Sequence, residues 1–321
     1  MNRNFFLISL LLAAMIIGCV GNPPTPEEQG LKSRSELESY FVIPKTRDVT
    51  NKYVTHFAKS NLKEGNAIVI GAVLSVNYDI PNAQRGTIQV FQTLWGDKIK
   101  KVVNVYSSEI GYLEACTGEQ VFVLNGFAGG SNAKIVTNFR LDPLIREQQI
   151  RTLQEILKIE KMDNFLQRKK EFVTKCFEHA NDENVWVANT WSFQLLYFCK
   201  DYPDYLEFED LMNLKKIERN YIFNRPQDSE VLKIIKATIV VILSLKFKRV
   251  WFERILNGSK SDALKAIGFL DFWFSSTYKN AFTFDDRVVI NSLIYFEDDT
   301  QIYAELLKLE QHLREILTTL N

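Results

Sequence analysis

The feature that most constrains the fold is a change of texture near the middle of the chain. Between Ala67 and Phe139 the apolar residues are mostly β-branched and fall in short runs separated by turn residues. From Asp142 to the end they recur at helical spacing instead. Period-2 runs bounded by Gly, Pro and Asn read as strands, and a 3.6-residue recurrence reads as amphipathic helix. The first strand, Ala67-Ile68-Val69-Ile70-Gly71-Ala72-Val73-Leu74-Ser75-Val76, is nearly continuous in apolar residues, as a strand buried on both faces must be. Gly71 inside it marks a bulge or bend. Further strands are expected at Thr87–Leu94, Val102–Tyr106, Gln120–Leu124 and Lys134–Phe139, with a loop over Ile80–Gly86 and turns at Gly96-Asp97 and Gly129-Gly130-Ser131-Asn132. Five short strands in about 75 residues predict a small closed barrel.

The helical half opens with Asp142-Pro143, read as an N-cap followed by proline at the first helical position. Further helices are expected near 163–180, 184–200, 206–222, 229–256, 260–277, 284–296 and 300–319, with breaks at Pro203, Pro226 and Gly258. Ala237–Leu245 is strongly apolar but too short to span a bilayer, and reads as a core helix flanked by Lys233, Lys236, Lys246, Lys248 and Arg249. Ser261–Leu270 resembles one helix of a HEAT-like repeat, but no clean period accompanies it, so an irregular bundle is preferred. Before the barrel, Ser35–Glu38 and Asp48–Lys59 each suit a short helix, with Asp48 or Thr50 as a cap.

The N-terminal residues speak to location. Asn2-Arg3-Asn4 is a short positive start, and Phe5–Ile17 is apolar except for Ser9. Such a run has the length of a signal-peptide core rather than of a membrane span. It ends in Ile16-Ile17-Gly18-Cys19, which resembles the lipobox of bacterial lipoproteins, the small residue fitting the signal peptidase and the thiol carrying the lipid. The alternative is an ordinary signal peptide or membrane anchor with a chance cysteine. Cleavage before Cys19 and acylation of Cys19 are therefore expected. Several acyl chains on one residue anchor stably where a single chain is marginal. Val20–Gly30, with three prolines, suits a semi-extended tether. No Asp follows Cys19, which in a two-membrane cell favours the outer membrane.

Lys+Arg and Asp+Glu both number 39, and this balance argues against a general nucleic-acid binder. Beyond Cys19, Cys116, Cys176 and Cys199 read as buried free thiols, with a Cys176–Cys199 pairing as the alternative.

The β segment, about Glu64–Ile159, resembles the netrin-like domains, which include the tissue inhibitors of metalloproteinases. Ile70–Val76 matches the opening strand of that family, Val90–Asp97 its strand ending in a Gly-Asp turn, and Gly118–Leu124 a third strand. Thr137-Asn138-Phe139-Arg140 sits where the family often has Cys and then Arg. The resemblance implies an OB-fold barrel with a helix packed after the last strand, and a binding role. The family's cysteine framework is missing, with only Cys116 present and Phe139 near its partner's place. Animal members chelate a protease zinc through an N-terminal cysteine. Cys19 would be acylated and lies some 45 residues before the barrel, so that chemistry is not carried over.

Motifs of catalysis are absent. No His-Glu-x-x-His occurs, and His56, His179 and His312 lack metal-ligand spacing. The glycines of Phe127–Asn132 lack a P-loop's Gly-Lys-Ser/Thr, and there is no Gly-x-Ser-x-Gly. Asp285-Asp286, Glu297-Asp298-Asp299, and Glu207, Glu209 and Asp210 precede expected helices and read as caps. Trp186 and Trp191, with Phe269, Phe272, Trp273 and Phe274, read as core or as a carbohydrate- or peptide-binding surface. The latter four are too dense for one helix face, so at least one should be exposed.

The expectation is an α+β chain: signal peptide 1–18, tether and linker 19–45, OB-fold barrel domain with flanking helices 46–159, and α-helical domain 160–321. It is read as a lipid-anchored, extracytoplasmic, non-catalytic binding or scaffold module of the bacterial envelope. Its partners are the membrane, through Cys19, and an envelope protein; no cofactor, metal or nucleic acid is expected. The alternative is an envelope enzyme, hydrolytic in class, whose His179 or His312 meets a carboxylate in a cleft.

Overall fold

The computed structural model describes residues 25–43, 53–80, 83–96, 99–109, 111–126 and 133–319. Helices α1 (Arg34–Phe41) and α2 (His56–Asn61) precede strands β1 (Asn66–Ile80), β2 (Ala83–Trp95) and β3 (Val102–Ser107). A short α3 (Tyr112–Ala115) leads to β4 (Gln120–Asn125) and β5 (Ala133–Arg140). Then follow α4 (Arg146–Glu160), α5 (Phe165–His179), α6 (Val185–Asp201), α7 (Phe208–Asn224) and α8 (Ser229–Ile242). A π-helical turn (Leu243–Phe247) runs into α9 (Lys248–Asn257), followed by α10 (Lys260–Phe274), α11 (Phe284–Phe296) and α12 (Thr300–Thr319). By packing, the described residues form two compact units, one within Lys45–Ile239 and a discontinuous one joining residues 25–43 to 240–319. The α+β expectation holds: a closed five-stranded, OB-like barrel precedes a helical region.

In the first unit the barrel runs in the order β1-β2-β3-β5-β4, with β4 closing on β1. Only β3 and β5 pair in parallel. The continuous apolar run of β1 has a direct cause. Val69 points into the barrel with Ile88, Val105, Phe122 and Leu124. Ile68 and Ile70 point out, into a layer formed with Val121, Val123, Leu62 of the segment after α2, and Ile150, Leu153 and Leu157 of α4. Each such aliphatic side chain contributes about 1.5–3 kcal/mol by leaving water. The register of β1 against β2 shifts between Ile70 and Gly71, as the glycine foretold.

Glu160, at the end of α4, ties this layer together. Its buried carboxylate accepts from the backbone N–H of Val54 at 2.9 Å and of Thr55 at 2.5 Å, and pairs with Arg168 at 3.5 Å. Further along, Arg225 donates to Asp182 O at 2.6 Å and bonds Asp228, while Tyr221 donates to Ala180 O at 2.7 Å, fixing the α5–α6 turn to α7.

In the second unit α1 is a packed helix, although it falls within the span expected as linker. Ser33 and Glu36 form a capping box, and Leu37 and Phe41 are buried. Tyr40 donates to Asp286 at 2.5 Å, Lys248 reaches the same fully buried carboxylate at 2.9 Å, and Thr283 N donates to it at 2.7 Å. Arg249 donates to Tyr40 O at 2.6 Å and Val42 O at 3.0 Å. Burial, and next the Asp286 charge, push the Tyr40 hydroxyl far above its usual range, so it remains a donor. Removing one member of such a buried pair typically costs about 3–5 kcal/mol.

Several boundaries differ from expectation. β1 and β2 extend through Ile80 and from Ala83, so most of the anticipated 80–86 loop is strand. Asp142 caps only a turn, accepting from Leu144 N at 2.9 Å, and α4 starts at Arg146. α2 is capped by Thr55; Asp48 and Thr50 lie outside the described residues. Lys246 and Lys248, expected as flanking charges, are buried. Neither the π turn nor α3 was anticipated. Among the described residues no helix is long and apolar enough to cross a membrane.

Candidate functional site

The lipidation residue Cys19, the signal segment and the tether up to residue 24 lie outside the described residues, as does the Phe127–Asn132 glycine turn. The remaining cysteines, Cys116, Cys176 and Cys199, are free and buried, and burial pushes all three thiols up, away from reactivity. Asn138 Nδ2 lies 3.2 Å from Cys116 Sγ.

Each acidic cluster contributes to a helix cap. Asp286 completes a capping box with Thr283, and Asp210 one with Glu207. Asp299 accepts from Gln301 N at 2.9 Å and Ile302 N at 3.2 Å at the start of α12. Among the described residues no three His, Cys, Asp or Glu side chains converge as a metal site. Trp191 and Trp273 are core residues, whereas Phe272 of the dense aromatic run is exposed.

Each histidine has a distinct setting. His56 stacks on Tyr197 with centroids 3.8 Å apart, and burial lowers its basicity. His179 stacks on Trp191 at 5.2 Å. Its Nε2 lies 3.0 Å from Glu155, in a direction that makes no hydrogen bond. His312 Nδ1 and Asp271 Oδ1 are 2.7 Å apart and properly bonded.

That last pair adjoins a groove of about 360 Å³ between α10 and α12. Leu264, Ile267 and Gly268 form one wall with Asp271, and Gln301, Glu305, Lys308 and Leu309 form the other. The geometry follows from helix periodicity. Residues 264, 268 and 271 share one face of α10, and 301, 305, 308 and 312 continue along one face of α12. Lys260 and Asp299 pair at 2.8 Å one turn beyond the opposite end. The floor is apolar and the rim charged, with Lys308 and Glu305 bonded at 2.7 Å. The lining contains no Ser, Thr or Cys, so an acyl transfer through a hydroxyl or thiol nucleophile beside His312 has no candidate in it. Sequence reasoning offers His312 meeting a carboxylate in a cleft as its alternative, but not Asp271 or the groove walls, because Asp271 and His312 stand 41 residues apart. The one local signal was Gly268, a glycine inside a helix.

No family model, curated protein or solved structure matches the chain.

Proposed function

We propose that the chain is a lipoprotein of a bacterial envelope, anchored through acylated Cys19 and facing an extracytoplasmic space, where it serves as a non-catalytic binding or scaffold module. The binding half of this reading rests on Phe272. It is 56% exposed beside a groove with an apolar floor, a charged rim and no Ser, Thr or Cys, which suits recognition of a partner. The anchoring half is supported by the order of charge, apolar run, Gly18-Cys19 and Pro-rich tether. The missing Asp after Cys19 favours the outer membrane where there are two. The barrel is read as netrin-like on its strand patterns, and Asn138 facing the Cys116 sulfur is consistent with a family position that has lost its disulfide. Metabolic labelling with a palmitate analogue tests the anchor. Wild-type chain takes up label and sediments with membranes, and Cys19→Ser does neither; label that persists in Cys19→Ser defeats the anchor.

One observation favours a second reading, an envelope hydrolase: the His312–Asp271 pair beside the groove could orient an imidazole as a base. Turnover of p-nitrophenyl esters by the purified chain, lost in His312→Asn, would select it over the binding module.

A further inference from the structure

The outer surface of the barrel is covered unevenly. Over β4 and the first half of β1 it lies under α2 and α4, through Ile68, Ile70, Val121 and Val123. Across β2, β3 and the start of β5 it is open to solvent. The register fixes which side chains share this open face, because directly opposed residues of neighbouring strands project from the same side. Asn77, Arg85, Tyr106 and Lys134 form one row across β1, β2, β3 and β5. Ser75, Thr87 and Asn104 form the next row, and Ala72, Gln89 and Val102 the third. Ile88, Val103 and Val105, which alternate with them, pack inward. Phe91 follows the inward-packed Val90, and Lys100 stands two residues before Val102, so these extend the face along β2 and β3.

Three kinds of side chain meet there. Arg85, Lys100, Lys101 and Lys134 are exposed, and among the described residues none of them pairs with a carboxylate. The carboxylates that follow β3 lie toward α3: Glu109 acts on the Tyr112 hydroxyl, and Glu114 accepts from Gln84 at 3.2 Å. A chain whose formal charges cancel over its length thus gathers unpaired cations on one face. Between them stand uncharged donors and acceptors, Asn77, Ser75, Thr87, Gln89 and Asn104. Tyr106 sits half-buried between Arg85 and Lys134, and Phe91 and Val102 are 51% and 49% exposed. Bare cations attract any polyanion. Amides and hydroxyls set among them match the hydroxyls of a sugar, and an aromatic ring matches the C–H face of a pyranose. A nucleic acid strand calls for successive stacking rings, and this face offers only Tyr106 and Phe91. From Lys100 to Tyr106 it runs about 20 Å, at about 3.3 Å per residue, room for an oligosaccharide.

We propose that the open β2–β3–β5 face of the barrel binds an acidic polysaccharide. Arg85 and Lys134 hold its anionic groups at one end and Lys100 at the other, while Thr87, Gln89 and Asn104 bond its hydroxyls. A guanidinium can take a carboxylate or a sulfate through two parallel bonds, so Arg85 is the main anion contact. The proposal goes beyond the binding-module reading by naming a second surface and a ligand class, and it depends on neither the α10 groove nor Cys19. A chain that binds no glycan leaves the labelling result untouched, and an unlabelled chain leaves the glycan result untouched.

Fluorescence anisotropy of end-labelled oligogalacturonate and of labelled dextran sulfate, titrated with the full chain in uncharged detergent, measures the binding. Wild type binds one or both, the pair distinguishing carboxylate from sulfate recognition, and added salt weakens the complex. Neutral dextran does not compete. Oligo-dT and polyglutamate bind about tenfold more weakly or not at all, because they supply charge without sugar hydroxyls. Arg85→Gln and Lys134→Gln each weaken glycan binding by about tenfold, whereas Lys233→Gln, an exposed lysine on α8, leaves it unchanged. Thr87→Val keeps the side chain's shape and weakens glycan binding more than any residual polyglutamate binding, which attraction by charge alone would not produce. A chain that binds neither acidic glycan, that binds oligo-dT or polyglutamate as tightly, or whose Arg85 and Lys134 variants bind normally would overturn the proposal.

Discussion

A methyl group added at Gly71 would lie 2.4 Å from the Gln89 carbonyl oxygen and 2.9 Å from the Ile88 side chain. Backbone cannot yield as a flexible side chain can, so Gly71→Ala should destabilise the barrel by about 3 kcal/mol, read by denaturant unfolding. The need for glycine was visible in sequence because it interrupts an otherwise continuous apolar run. Glu310 shows the opposite case. Burial pushes its carboxyl up, yet Arg287 at 2.7 Å and Arg314 at 2.7 Å prevail and hold it below the ordinary value. A depressed carboxylate contributes stability that is complete above its unfolded value, about 4.3, and is lost as pH falls through the folded value below that. The stability difference between wild type and Glu310→Gln should therefore be largest at neutral pH and shrink as pH falls below about 4. No local pattern announces this triad, since Arg287 stands 23 residues from Glu310.

Among the elements, those whose ends carry their own chemistry were the easiest to read. α10 begins after Ser259, which accepts from Asp262 N at 3.2 Å, and α11 begins after Thr283 with its Asp286 partner. β1 and β4 were legible because burial on both faces leaves no polar alternation. α1 was legible as a helix but not as a packed one, because its partners lie more than 200 residues away, at Arg249 and Asp286. If residues 25–43 were only a tether, Leu37→Ala would be neutral. Its side chain is fully buried, so thermal or denaturant unfolding should instead report a loss of about 2–5 kcal/mol. The π turn escaped prediction for a different reason: it lies inside one continuous apolar run with no Pro or Gly to mark it.

At the scale of the molecule, the chain alternates between its two units. The N-terminal helix belongs with the C-terminal helices, the barrel unit lies between them in sequence, and α8 carries the chain across the division. The anchor we propose would therefore attach, through the Pro-rich tether, to the helical unit that presents Phe272 and the α10 groove. Sequence conveyed the barrel, the helices and the candidate anchor, since each depends on contiguous residues. It did not convey the groove, whose walls come from helices a whole helix apart in the chain. The central claim, a chain acylated at Cys19, is tested most directly by intact mass spectrometry of the protein extracted from its native membranes. The account predicts a polypeptide beginning at Cys19, with residues 1–18 removed and the mass increased by diacylglycerol and an amide-linked acyl chain. A chain that retains residues 1–18, or one whose Cys19 carries no lipid, would contradict it.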